Sequence, residues 1–392
     1  MRPTLPFTLR FPATLLGRVV AGVVALVVLA GIAVVWRLKT NDSAAIVAGK
    51  VELDDPAFVV SDPQPHIEPS PPPPPPPPEA GAARVPTGGV PGYVPPRVQG
   101  LWPPDGTPPG PAKPFSGPVD DSGGIQFVLV LGSDARTGNP DRGARADSIH
   151  VLAVDPKARK GTIMGFPRDS WVTIPGSGTH KMNDCLSIGG PALCVRTVRE
   201  LTGMPIQYYV LTAFQGFEAM VDAVGGIDAY VPYDMNEKNS GAFFRKGWHK
   251  MTGPKALSFT RNRHVPGGDL GRSENQGRLM LDALKKFRAE TSTRADLERL
   301  VGILMSHVRL EMSMGDALRL ATIARVTAAS DVRNVVVPGR PGNAGRASVV
   351  FLTDQAPALY RDVLADGRAD GGYGSLGPPE TAGEDVQATT PA

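Results

Sequence analysis

The sequence predicts an α/β fold, a mixed central sheet with helices on both faces in an α/β/α sandwich, preceded by a transmembrane helix and a disordered Pro-rich stalk. Three observations lead there. Short β-rich apolar runs alternate with helix-like apolar spacing from Ile125 onward, an uncharged apolar run fills residues 19–36, and Pro and Gly dominate the stretch between them. The 392 residues leave room for a full core, and the formal net charge of +3 arises from nearly balanced acids and bases, which gives no argument for nucleic acid.

Taken in order, residues 1–18 read as a cytoplasmic N-terminus and 19–39 as the membrane anchor, because Arg2, Arg10 and Arg18 precede the apolar run and Arg37 and Lys39 close it. A cleaved signal peptide, the rival reading, would have a shorter apolar core and a cleavage site nearer than Ser43-Ala-Ala45. Residues 40–122 are expected as an extracytoplasmic linker, since the unbroken Pro run 71–78 and the later Pro-Pro and Pro-Gly steps favour an extended polyproline II chain. Read instead as a PxxP ligand, the run would need a partner on the same side of the membrane.

A folded domain with a C-terminal helical extension is expected over 123–366. Its strands are placed at 125–131, 148–154, 162–166, 208–211, 226–231, 332–337 and 349–352. Its helices are placed at 214–224, 254–259, 273–290, 295–307, 314–328 and 356–365. From 367 to 392 Gly, Pro, Glu and Thr dominate, the composition of a disordered tail.

Charged residues gather where these strands end. Asp134 and Asp147 fall at the end of one strand and the start of the next, where two carboxylates can meet one Mg²⁺ (or Mn²⁺). Arg136, Arg145 and Arg168 stand beside them, and guanidinium forks grip phosphate through paired donors. Lys181 and Asn183 follow a Gly-rich turn. Arg261 and Arg263, if extended, point the same way toward one pyrophosphate, and Asp269, Arg272 and Gln276 follow Gly267-Gly268, which lets backbone approach closely. The structural alternatives are that the aspartates cap turns or form surface pairs and that the arginines make a solvated rim. G-x-S-x-G, Walker A and H-E-x-x-H patterns do not occur. The spacing of Cys185 and Cys194 fits neither a CxxC pair nor a four-ligand zinc site; outside the cytosol it suggests a disulfide, and otherwise two buried thiols.

In order along the chain, Leu131-Gly-Ser-Asp-Ala-Arg136, Arg145-Ala-Asp147, Phe166-Pro-Arg-Asp169, Lys181-Met-Asn183, Gly189-Gly-Pro191, Val224-Gly-Gly226, Gly253-Pro-Lys-Ala-Leu257, Arg261-Asn-Arg263 and Asp269 through Gln276 resemble the LytR-CpsA-Psr family of envelope phosphotransferases. The resemblance implies a membrane-anchored enzyme that moves a glycopolymer from a polyprenyl-pyrophosphate carrier to peptidoglycan through a phosphodiester. It implies that Asp134 and Asp147 bind Mg²⁺, that Arg168, Arg261, Arg263 and Arg272 bind pyrophosphate with Gln276 beside them, and that Arg145 supports them. Asp269 would orient an arginine or assist the incoming hydroxyl. The sequence departs from the family where Ala135 and Ala146 replace hydroxyl residues and where Asn275 stands for an arginine. Two other functions fit the same residues: a phosphatase with water as acceptor, and a non-catalytic wall-associated regulatory or binding protein.

Overall fold

In a computed structural model, the structure describes residues 101–135 and 143–373. The expected N-terminus, anchor and most of the linker, together with Arg136 and the tail from 374, lie outside the described residues. Among the described residues no helix is long and apolar enough to cross a membrane.

The central sheet is mixed and has six strands: β1 (Gln126–Ser133), β2 (Ala146–Asp155), β3 (Lys160–Gly165), β6 (Tyr208–Ala213), β11 (Arg309–Leu310) and β12 (Val332–Val336), in the order β11-β6-β1-β2-β3-β12. Antiparallel β1–β2 and β2–β3 pairs form its middle, and β6 and β12 join in parallel on either side. Period-two alternation sends Leu129, Leu131, Ile149 and Val151 to one face, all at 0 % exposure. That face packs on α1 (Asp184–Thr202) and α7 (Ala356–Asp366) through Leu186, Cys194, Val198, Leu359 and Val363. The other face carries Val128, Leu152 and Val210 toward α4 (Asp269–Glu290), α5 (Arg294–His307) and α6 (Met314–Val326). Helices on both faces follow as the sequence predicts.

A second core, Val221, Ile227, Val231, Phe244, Met251, Phe259 and Leu279 among others, sits under α2 (Phe214–Ala223), α3 (Gly253–Arg261), β7 (Ile227–Val231), β8 (Met235–Glu237), β9 (Ala242–Phe244) and β10 (Gly247–Met251). Two further hairpins are β4 (Trp171–Ile174) with β5 (Gly178–Lys181) and β13 (Gly339–Ala344) with β14 (Ala347–Leu352). The β14 strand falls where 349–352 predicts it, whereas β4 and β5, at four residues each, carry too few alternations to read, and the Gly189-Gly190 break interrupts the apolar spacing of α1. Helix α1 is broken at Gly189 and Gly190, Pro191 begins its second part, and the Cys185–Cys194 disulfide spans the break.

Both ends of the domain differ from expectation. Residues 101–122, expected as linker, are bonded to the domain: Trp102 donates its amide to Phe243 O (2.7 Å), Asp105 pairs with Lys255 (2.6 Å), and the Lys113 amide bonds Arg288 O (3.1 Å). The stretch lacks apolar periodicity, yet its two aromatic rings suffice as anchors, Trp102 packing edge-on against Phe244 and Phe115 lying under Arg325. At the other end residues 367–373, expected as tail, return to the sheet, where Ala369 is 5 % exposed and its amide donates to Thr162 Oγ1 (2.9 Å). Helix α4 starts at Asp269, four residues before the apolar spacing does, because its first turn is buried among polar groups rather than in the core.

Candidate active site

The site is built at the end of β1 and β2. The register slips between Gly132 and Ser133, which face Ser148 and Ala146, so Asp147 is an extra residue in a β-bulge. The bulge returns Ala146 to the buried face at 0 % exposure and leaves Asp147 beside Ser148 on the opposite face. Asp134, next after β1, is bracketed by Arg145: its amide donates to Arg145 O (3.0 Å), and its Oδ1 accepts from the Arg145 amide (2.7 Å). The two acids therefore stand at one end of a single strand pair, as expected.

Around Asp147 the other groups converge. Arg168, on the turn after β3, donates Nη1 to Asp147 Oδ1, and its Nε lies 3.9 Å from Asp169, which in turn holds Lys181 Nζ at 3.2 Å. Helix α4 brings Arg272, 2 % exposed and 2.5 Å from Asp269 through Nη2, together with Gln276, whose Nε2 donates to Thr260 O (3.1 Å) and Asp147 O (3.4 Å). No side chain caps the N-terminus of α4, whose first residue is the Asp269 of this cluster.

Burial pushes the Asp269 carboxyl up and Asp169 adds to that, while Arg272 and Arg168 oppose it. Burial likewise pushes Arg272 down, against the carboxylates of Asp269, Asp147 and Asp169 that hold its charge. The inner cluster contains three cations, Arg168, Lys181 and Arg272, and three anions, Asp147, Asp169 and Asp269. It is balanced in formal charge, so it suits a ligand that adds little net charge.

The remaining expected residues are more dispersed. Arg145 is exposed and pairs with Asp184 (3.0 Å) at the start of α1. Asn183 contributes mainly backbone, receiving the Ala146 amide (3.2 Å) and donating to Arg168 O (3.0 Å), and so ties β2 to the arginine turn. Arg261 is the last residue of α3, with its guanidinium over the Phe214 ring at 4.6 Å, and Arg263 is exposed beyond the helix end. The extended segment on which the two would point the same way is not formed, because α3 runs two residues past Phe259.

The sequence reading did not assign a role to Asp169 or His150. Asp169 closes the Phe166-Pro-Arg-Asp169 segment, directly after Arg168. His150 was legible only as a polar residue at a core-facing strand position, in line with Ser148 and Leu152.

Beneath the polar cluster an apolar cavity of about 310 Å³ runs between the sheet and the helices, reaching from Asp147, Arg261 and Gln276 to Leu279, Met280 and Leu304. A second of about 310 Å³ continues it toward Ala317, Ala324 and Thr327. Both are lined by Val128, Leu152, Val210, Met280 and Leu304, so the two adjoin.

As a metal site, the donor set is two hard carboxylates, and the described hydrogen bonds to Asp134 and Asp147 side chains both fall on Oδ1. Among the described residues no group of three or more His, Cys, Asp or Glu could hold a metal ion. The arrangement fits a cation that takes two protein oxygens and completes its shell with water and phosphate, the habit of Mg²⁺.

Fold and site together define a mixed α/β domain whose arginine and carboxylate cluster caps an apolar channel. The chain belongs to the LytR_cpsA_psr family, whose model matches residues 111–359. It is 34 % identical over 226 residues to the regulatory protein MsrR of Staphylococcus aureus (strain COL), covering 57 % of this chain and 67 % of that one. It is 38 % identical over 161 residues to the polyisoprenyl-teichoic acid–peptidoglycan teichoic acid transferase TagU of Bacillus cereus (strain AH820), covering 41 % of this chain and 52 % of that one. The crystal structure of B. subtilis TagV superposes with a TM-score of 0.56 at 26 % identity, over 62 % of this chain and 96 % of TagV.

Proposed function

We propose that this protein is a membrane-anchored phosphotransferase that moves a glycopolymer from a polyprenyl-pyrophosphate carrier onto a peptidoglycan hydroxyl, forming a phosphodiester. One observation carries the reading: the apolar channel opens at Asp147, Arg261 and Gln276, so a prenyl chain lying in it would bring its pyrophosphate to the charged cluster. The family relationship supports the same chemistry.

In this mechanism the acceptor oxygen attacks the phosphorus nearer the glycan, the bond from that phosphorus to the bridging oxygen breaks with its electron pair leaving on the prenyl phosphate, and the hydroxyl proton passes to solvent. Such a transfer needs positioning and charge neutralisation rather than a protein nucleophile. Arg168 and Arg272 donate to the phosphate oxygens as charge develops on the leaving prenyl phosphate, Arg261 meets the pyrophosphate at the channel mouth, and exposed Arg263 reaches it from outside. Asp269, ion-paired with Arg272, orients that arginine. Asp134 and Asp147 would hold Mg²⁺, which supplies neutralisation of pyrophosphate charge when bound. A dianionic pyrophosphate together with Mg²⁺ is neutral, which suits a cluster already balanced in charge.

The domain works on the outer side of the membrane in this reading, with the N-terminus in the cytoplasm; the disulfide supports an oxidising compartment. The test is full-length protein in detergent with a labelled polyprenyl-pyrophosphate glycan and a peptidoglycan fragment. Adduct formation that is lost on chelation and in Asp134→Asn and Asp147→Asn is expected. Release of phosphate without adduct would identify a phosphatase, and wall attachment indifferent to both substitutions would identify a binding protein.

A further inference from the structure

We propose that His150 and Asn334 form a rotational lock on α4, fixing the helix about its axis so that Arg272 faces the Asp147–Arg168 pair. The proposal rests on the phosphotransferase reading for its consequence, though not for its geometry.

His150 is at 0 % exposure on β2, three residues beyond Asp147. Its Nε2 lies 3.2 Å from Ser273 O and its Nδ1 lies 3.1 Å from Ser148 Oγ. A carbonyl only accepts, so the proton sits on Nε2 and Nδ1 accepts from the Ser148 hydroxyl. From β12, on the far side of β3, Asn334 Nδ2 donates to the next carbonyl along the helix, Glu274 O, at 3.0 Å. Consecutive carbonyls of α4 are thus held from two different strands, immediately after Arg272.

Two glycines make room for this. A Cβ on Gly165 would run into His150 and Ser273, and one on Gly277 would run into the Asn334 carboxamide. The direct tie between α4 and the Asp147 segment, Gln276 to Asp147 O, is long at 3.4 Å. Arg272 makes its one described ion pair within its own helix, to Asp269. Its direction relative to β2 is therefore set by the rotation of α4, because the end of a long side chain sweeps an arc in proportion to its distance from the helix axis. His150 and Asn334 act as positioning residues, with no contact to the reacting atoms.

The test compares His150→Leu, His150→Gln and Asn334→Leu with the unchanged full-length protein. Geranylgeranyl pyrophosphate binding is measured by calorimetry in Mg²⁺, and amide exchange is followed in the segment 269–277. Gln can present a donor to Ser273 O, and Leu cannot. His150→Leu and Asn334→Leu are each expected to speed exchange in that segment at least tenfold and to weaken binding about tenfold. His150→Gln is expected to recover most of both. A merely structural role would lower melting temperature while leaving exchange in 269–277 in proportion to the rest of the domain. Unchanged exchange in His150→Leu overturns the lock whatever the ligand. Faster exchange with no binding even by the unchanged protein keeps the lock and removes the prenyl-pyrophosphate reading. Faster exchange with undiminished binding overturns its bearing on Arg272.

Discussion

Replacing His150 by Gln changes how stability depends on pH, and the size of the change can be worked from the structure. Burial pushes the imidazole from its usual 6.5 down to about 4, with Arg272 adding to the effect against the Ser273 carbonyl. The folded state therefore keeps the ring neutral while the unfolded chain binds a proton, so stability is full above 6.5 and is lost as pH falls from 6.5 toward 4. Between about pH 7.5 and about pH 4.5 this single group costs the folded protein roughly 2.5 kcal/mol, since the unfolded His is almost fully protonated at the lower pH and the folded one about a quarter.

Asp269, Glu274 and Asp282 have the opposite sign, because burial pushes their carboxyls up and their ionisation weakens the fold as pH rises. They are present in both proteins, so they cancel in the difference. Urea unfolding of the two proteins at both pH values isolates the His150 contribution. His150→Gln is expected to be less stable than the unchanged protein at the higher pH and to lose about 2.5 kcal/mol less on acidification. Equal losses in the two proteins would show that His150 is not held neutral by burial.

Arg168→Ala is expected to lower the turnover of transfer by ~10²- to 10³-fold, as removal of one donor to developing charge does elsewhere, with the circular dichroism spectrum retained; Arg168→Lys, which keeps charge but not the fork, should recover only part. Met280→Trp, at a residue that lines both cavities, is expected to weaken geranylgeranyl pyrophosphate at least tenfold and leave inorganic pyrophosphate unchanged, by calorimetry; equal weakening of both would place the prenyl chain elsewhere. Reducing Cys185–Cys194 should lower stability in urea by about 2–3 kcal/mol on the chain-entropy account of so short a loop, and an unmoved midpoint would count against it.

The sequence carried the sheet well because its middle strands are long and apolar; Val128 through Leu131 and Ile149 through Val154 alternate cleanly between the two faces. It carried the first core for the same reason. The inner cluster was legible as residue types at strand ends, and Asp147, Arg168, Asp269, Arg272 and Gln276 do converge. What stayed hidden depends on contacts distant in sequence. The pairing of Asp169 with Lys181 joins the arginine turn to a hairpin too short to read, and His150 meets Ser273 across 123 residues. Arg261 was misread as extended because Thr260 and Arg261 add no apolar spacing to α3, although both are within or beside a helix whose burial comes from the second core. Trp102 and Phe115 were assigned to a spacer for a similar reason, since a Pro-rich neighbourhood hides how much one ring can anchor.

The bulge on β2 depends on a single residue. Asp147 is the surplus residue of that strand, and without it Ala146 and Ser148 would fall opposite Ser133 and Gly132 in an uninterrupted ladder, with Ile149 keeping its inward place. Loss of that one residue would heal the strand and remove the carboxylate that Arg168 meets there and the carbonyl that Gln276 meets. The position of this carboxylate is thus fixed by strand length as much as by side-chain identity.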